Sequence, residues 1–132
     1  MSSPSPSIFH GSPFPLPLLC SIPHLLHQLD RFSGREAVVA MDGTARLTYR
    51  DLDERSLIIA RALIAHGIGQ EDKVGIFLGN CETYAEVFLA TARIGAVAVL
   101  LNGACSVHEA INALQMAGTV ISYAPFGQWT LT

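Results

Sequence analysis

Val74-Gly75-Ile76-Phe77-Leu78-Gly79-Asn80 is the stretch that decides the fold. A nearly unbroken apolar run closed by turn residues is the pattern of a strand buried on both faces, as in parallel sheets sandwiched by helices. The flanking sequence agrees. Glu82 and Glu86 stand in the early turns of a segment that carries Tyr84, Val87, Phe88 and Ala92 at helical spacing and stops at Gly95, predicting a helix over 82–94. Ala96-Val97-Ala98-Val99-Leu100-Leu101 repeats the buried-strand pattern. Ser106-Val107-His108-Glu109 is a capping box that opens a helix through Ile111, Leu114 and Gln115, closing at Gly118. Thr119-Val120-Ile121-Ser122-Tyr123 is a candidate last strand. Three apolar strands separated by helices predict an α/β fold: a partial parallel sheet with flanking helices, in βαβαβ order, each strand covered by helices.

Upstream, Thr48-Tyr49-Arg50-Asp51 sets a hydroxyl at an N-cap and a carboxylate three residues on, each able to bond an orphan N–H of the first turn. Leu52, Ile59 and Leu63, with Ser56 and Ala60 on the same stripe, continue that helix to His66-Gly67. Val38-Val39-Ala40-Met41 and Ala45-Arg46-Leu47 flank Asp42-Gly43-Thr44 and read as a small hairpin. Leu25, Leu26 and Leu29 before Phe32-Ser33-Gly34 mark a short helix beginning at Ile22. Residues 1–21 hold six Ser and five Pro and read as a disordered lead-in; with no cationic start and with prolines in its apolar stretch, it is not expected to be a secretory signal.

Composition narrows the function classes. The chain has 132 residues, half of them apolar, which is enough for a core. Its net charge is -3, and every Lys, Arg, Asp and Glu lies between Asp30 and Glu109 without a basic cluster, so nucleic acid is not an expected partner. No run approaches the ~20 apolar residues of a transmembrane helix. Cys20, Cys81 and Cys105 form an odd, widely spaced set that fits neither a disulfide framework nor a C-x-x-C site, so a reducing, intracellular compartment is expected, cytoplasmic or peroxisomal.

Candidate chemistry is sparse. A βαβ nucleotide site needs G-x-G-x-x-G or G-x-x-x-x-G-K-[ST], and neither occurs. Gly67-Ile68-Gly69 follows a helix and reads as its stop, while Lys73 precedes a strand instead of entering a helix. Cys81 is the sharpest single candidate, because a helix N-terminus lowers a thiol's pKa. Thr83 stands where a nucleophile elbow needs glycine, so Cys81 reads as a buried structural cysteine. His24 and His27 lack a third metal ligand and read as surface residues; His66 and His108 read as helix-terminus residues. Asp51, Asp53 and Glu54 read as a dipole-matched first turn and a solvated face. The sequence assigns no catalytic, cofactor-binding or metal residue.

The order and wording of these segments resemble the start of the large N-terminal domain of the adenylate-forming (AMP-binding) family of acyl-CoA synthetases. Leu47-Thr48-Tyr49-Arg50-Asp51-Leu52 is similar to the motif L-[TS]-Y-x-[ED]-L, and Asp72 to Asn80 to the stretch G-D-[RK]-V-[AG]-I-x-x-x-N. Ala92 to Asn102 resembles the second core motif, with Ser106 to Glu109 in the place of a T-x-x-E-L cap. Gly79 to Leu89 and Arg93-Ile94-Gly95 resemble fungal-type fatty acyl-CoA synthetases most, while Leu100 and Gly103 stand where many members carry proline. The resemblance implies that residues 22–118 are the N-terminal part of an AMP-binding domain, with 119–132 a divergent tail. It implies a parent reaction that uses ATP, Mg²⁺ and coenzyme A. The family's glycine-rich phosphate loop, ribose-binding acid and catalytic lysine have no counterpart in these residues, so no cofactor is expected on this chain by itself. Three readings remain open: a truncated synthetase part inactive alone, a binding or regulatory module that docks on a full-length relative, and a small α/β cysteine hydrolase built on Cys81.

Overall fold

The computed structural model describes residues 21–41, 43–124 and 128–131. The expected lead-in therefore lies almost wholly outside the described residues, as does Asp42 of the hairpin turn. In chain order the elements are α1 (Ile22–Gln28), a 3-10 turn (Leu29–Phe32), β1 (Glu36–Val39), β2 (Arg46–Thr48), α2 (Tyr49–Ala65), β3 (Lys73–Ile76), α3 (Glu82–Arg93), β4 (Val97–Leu100), α4 (Val107–Ala117), β5 (Ile121–Ala124) and β6 (Gln128–Leu131).

Both capping boxes form. Thr48 Oγ1 accepts from Asp51 N at 3.2 Å while Thr48 N donates to Asp51 Oδ2 at 2.8 Å. Ser106 and Glu109 make the same reciprocal pair, at 3.3 and 2.8 Å. These bonds from Thr48 and Ser106 hold the carboxyls of Asp51 and Glu109 below their ordinary values, because an accepting carboxylate is favoured in its charged form. Glycines at positive φ close the helices, at Gly67 (81°), Gly95 (73°) and Gly118 (67°), and Lys73 Nζ donates to Ala117 O at 2.6 Å at the end of α4.

β1 and β2 pair antiparallel as the expected hairpin, with Val39 opposite Arg46. The main sheet has the order β4-β3-β5-β6. β3 pairs parallel with β4 (Gly75 opposite Val99) and with β5 (Gly75 opposite Ser122), as the βαβαβ reading requires. β6 was not expected: it returns antiparallel to β5, with Ser122 opposite Thr130. A short antiparallel return needs no crossover helix, so neither a long apolar run nor a helical period announces it.

Side chains alternate along β3 and assign the two faces. Val74 packs with Ala60 and Leu63 of α2 and Ala90 of α3, and Ile76 packs with Val87 of α3; both strand residues are 0% exposed. Gly75 points the other way, where a Cβ would meet Leu114 Cδ2 of α4 at 2.3 Å and Ser122 Cβ at 3.2 Å. Glycine in this strand is thus the condition for α4 to lie close on the sheet. α2 and α3 cover one face and α4 the other.

β4 departs from the expectation of a fully covered strand. It is the edge of the sheet among the described residues, and Val97 and Leu100 are 47% and 50% exposed. The seam between α2 and α3 is more polar than the periodicity implied. Arg93 Nε donates to buried Ser56 Oγ at 3.0 Å and its Nη2 pairs with Asp53, so Asp53 is not simply a solvated residue. Arg55 Nη1 reaches Glu86 Oε1 at 3.2 Å, which lets a carboxylate that is only 7% exposed stay paired.

Candidate functional site

β3 and β4 are adjacent parallel strands whose following helices lie on opposite faces. Their outgoing loops therefore diverge, and a crevice opens outside their carboxyl ends, the place where open α/β sheets hold ligands. Pairing ends where Leu101 N donates to Ile76 O at 3.0 Å and Phe77 N to Tyr123 O at 2.9 Å. Beyond it lies a crevice of about 320 Å³, lined by Leu78, Gly79, Asn80, Tyr84, Asn102 and Gly103 among others. The two loops touch at Gly103, where a Cβ would stand 3.0 Å from Leu78 O and 3.3 Å from Gly79 N. Asn102 Oδ1 accepts from Ala104 N at 2.9 Å and Asn102 O from Cys105 N at 3.0 Å, which folds the second loop back on itself.

The lining offers carboxamides, a phenol and backbone amides, and none of its residues carries a formal charge. Such a surface can hydrogen-bond a neutral group. It does not neutralise a triphosphate, which calls for Lys, Arg or a metal in addition to amides. Among the described residues no group of three His, Cys, Asp or Glu could hold a metal ion. Neither ATP phosphates nor Mg²⁺ fit the residues present.

Cys81 is corrected. It is exposed, not buried, and it occupies the N-cap of α3 without a side-chain capping bond. The strand stops at Ile76, so the following loop carries Cys81 past the sheet before the helix begins. It borders a second cleft of about 260 Å³, between the β1–β2 hairpin and α3, lined by Val38, Met41, Asn80, Glu82 and Tyr84 and by no histidine. Among the described residues lining this cleft there is no histidine to serve as the general base of a cysteine hydrolase.

The other singled-out residues are dispersed. His66 closes α2, with Nδ1 2.8 Å from Ala62 O, and His108 lies in the first turn of α4. His24 on α1 contacts Gln28 at 2.9 Å; the side chain of His27 lies outside the described part of the structure. Ile68, between the two glycines, is a core residue. The crevice residues Asn80, Tyr84, Asn102 and Gly103 were not singled out as a site by sequence. A Gly-Asn doublet after one buried strand and an Asn-Gly doublet after the next was the available signal. No helix among the described residues is long and apolar enough to cross a membrane.

Residues 25–123 match the family described as AMP-binding enzyme. The acyl-CoA ligase sidI of Beauveria bassiana (strain ARSEF 2860) is 42% identical over 113 residues, which cover 84% of this chain and 19% of that protein. The acyl-CoA ligase cnsG of Penicillium expansum is 35% identical over 115 residues, 86% of this chain and 24% of the relative. The chain thus spans about a fifth to a quarter of the length of these curated relatives. Among solved structures, the N-terminal domain of FACL13 from Mycobacterium tuberculosis superposes with a TM-score of 0.71 at 28% identity, over 77% of this chain and 26% of that one. The Klebsiella oxytoca NpsA N-terminal subdomain in complex with anthranilyl-AMSN gives 0.72 at 25% identity, over 79% and 27%.

Proposed function

This chain belongs to the AMP-binding enzyme family, and from that premise we propose that residues 22–118 are the scaffold of the N-terminal part of an acyl-CoA ligase domain, with 1–21 a lead-in and 119–132 a divergent tail. The parent reaction joins a carboxylic acid to ATP as an acyl-adenylate, releases pyrophosphate, and passes the acyl group to the thiol of coenzyme A. Mg²⁺ and coenzyme A enter this reading through that reaction. A fatty acid is the proposed acyl group, supported by the resemblance of Gly79 to Leu89 to fatty acyl-CoA synthetases. A cytoplasmic or peroxisomal setting goes with it.

The observation that carries the proposal is where the three family-like segments fall. Leu47 to Leu52 builds the cap that starts α2, Asp72 to Asn80 builds β3 and one wall of the crevice, and Ala92 to Asn102 builds β4 and the other wall. They shape a core and a switch point. None of the residues these segments place on the crevice carries a charge, and Lys73 and Arg93 are engaged by Ala117 O and by Ser56 and Asp53 instead, so in this reading the chain's residues position the sheet and carry no step of the adenylation.

ATP–pyrophosphate exchange tests the reading. The chain alone, given Mg²⁺ and fatty or aromatic acids, is expected to give no exchange and no saturable AMP binding in calorimetry. Saturable AMP binding abolished by a substitution within this chain, such as Asn102→Ala, contradicts the scaffold role.

A further inference from the structure

We propose that Asn102 is a site of spontaneous covalent modification, converting to aspartate and isoaspartate and so changing the crevice it lines. Asn102-Gly103 is the one Asn-Gly pair in the sequence; Asn80 precedes Cys81 and Asn112 precedes Ala113. Glycine leaves the backbone nitrogen after the asparagine without the steric shield of a Cβ. Both residues are exposed, in a loop outside any helix or strand, and Gly103 N donates to no described residue. Asn112, in contrast, lies inside α4, where the helical backbone is held in place.

The chemistry closes with water alone. Gly103 N, having lost its proton to solvent base, attacks Asn102 Cγ to form the new C–N bond of a tetrahedral intermediate; collapse of that intermediate breaks the C–NH₂ bond, and ammonia leaves with a proton from solvent. Negative charge develops on Asn102 Oδ1 in the tetrahedral intermediate. Ala104 N–H already donates to that oxygen at 2.9 Å, so a fixed dipole faces the developing charge. Water then opens the cyclic imide at either carbonyl. One opening leaves aspartate and the other leaves isoaspartate, whose main chain is one carbon longer. Either product places a carboxylate in a lining without charge. The longer one also displaces Gly103 from its approach to Leu78 O and Gly79 N.

Peptide mapping by mass spectrometry during incubation of the whole chain at mildly alkaline pH tests this. Asn102 is expected to convert about tenfold ahead of Asn80 and Asn112, the ratio given by a barrier lower by about 1.4 kcal/mol. The products should include isoaspartate, and hydrogen exchange at residues 78–81 should speed up in the converted chain. Gly103→Ala should suppress the reaction; because that Cβ crowds the neighbouring loop, Asn102→Gln serves as a second variant and should leave the peptide unconverted under the same conditions. Conversion of Asn80 or Asn112 first, or an intact Asn102 after either has converted, overturns the proposal.

Discussion

β3 and β4 are two apolar strands that look alike in sequence and differ in the structure. Val74 and Ile76 of β3 are 0% exposed, between α2 and α3 on one face and α4 on the other, whereas Val97 and Leu100 of β4 are about half exposed at the sheet edge. Apolarity records what a strand is suited to bury, and its neighbours decide how much it does bury. A strand at the sheet edge among the described residues, with exposed valine and leucine and no Lys, Arg, Asp or Glu from Ile94 to His108, is also an invitation to edge pairing.

Substitutions can break this contrast. Ile76→Ala should cost about 2–5 kcal/mol, because a buried side chain is removed from a core closed on all sides. The equivalent Leu100→Ala should cost about 1 kcal/mol or less, since half of that side chain already meets water. Denaturant midpoints check both, and equal losses would show that the edge is covered. Gly75→Ala should cost about 1–3 kcal/mol by overpacking against Leu114, and part of that should be recovered in the Gly75→Ala, Leu114→Ala double variant.

Smaller effects sharpen the picture. Thr48→Ala, which removes the N-cap hydroxyl of α2, should cost about 1 kcal/mol near neutral pH. Asp51 and Glu109 have folded-state pKa values lowered by their bonds from Thr48 and Ser106. Their contribution is therefore fully present above the ordinary values of 3.8 and 4.5 and is lost as pH falls through those values toward the folded-state ones. The gap between Thr48→Ala and the parent chain should shrink over that acid range in pH-dependent unfolding. Val97→Lys should leave stability within about 0.5 kcal/mol while reducing aggregation in light scattering, as a charge on an exposed edge does.

The parallel strands, the helices and both capping boxes were legible because each rests on local signals that agree: an apolar period, a Ser or Thr cap, a glycine stop. β3 was read as 74–78 but pairs over 73–76, because pairing ends where the partner strands turn away, and this depends on residues far along the chain. The same non-local cause hid the exposure of Cys81 and the open edge of β4. Arg93 stood in the sequence only as part of a family-like segment; that it would reach Ser56 and Asp53, some 40 positions earlier, required the packing of α3 on α2. The crevice was missed because a switch point is a property of strand order, and strand order is written in no single motif.

The scaffold role is tested most directly by exchange of parts. Residues 25–123 of this chain can replace the matching segment of the Beauveria bassiana acyl-CoA ligase sidI, with which the chain shares 42% identity over 113 residues. The hybrid's ATP–pyrophosphate exchange with that ligase's own acid is then measured. If these residues supply core and crevice walls while the adenylation machinery lies in the rest of the ligase, the hybrid retains exchange; a soluble, cooperatively folded hybrid without exchange would contradict the account.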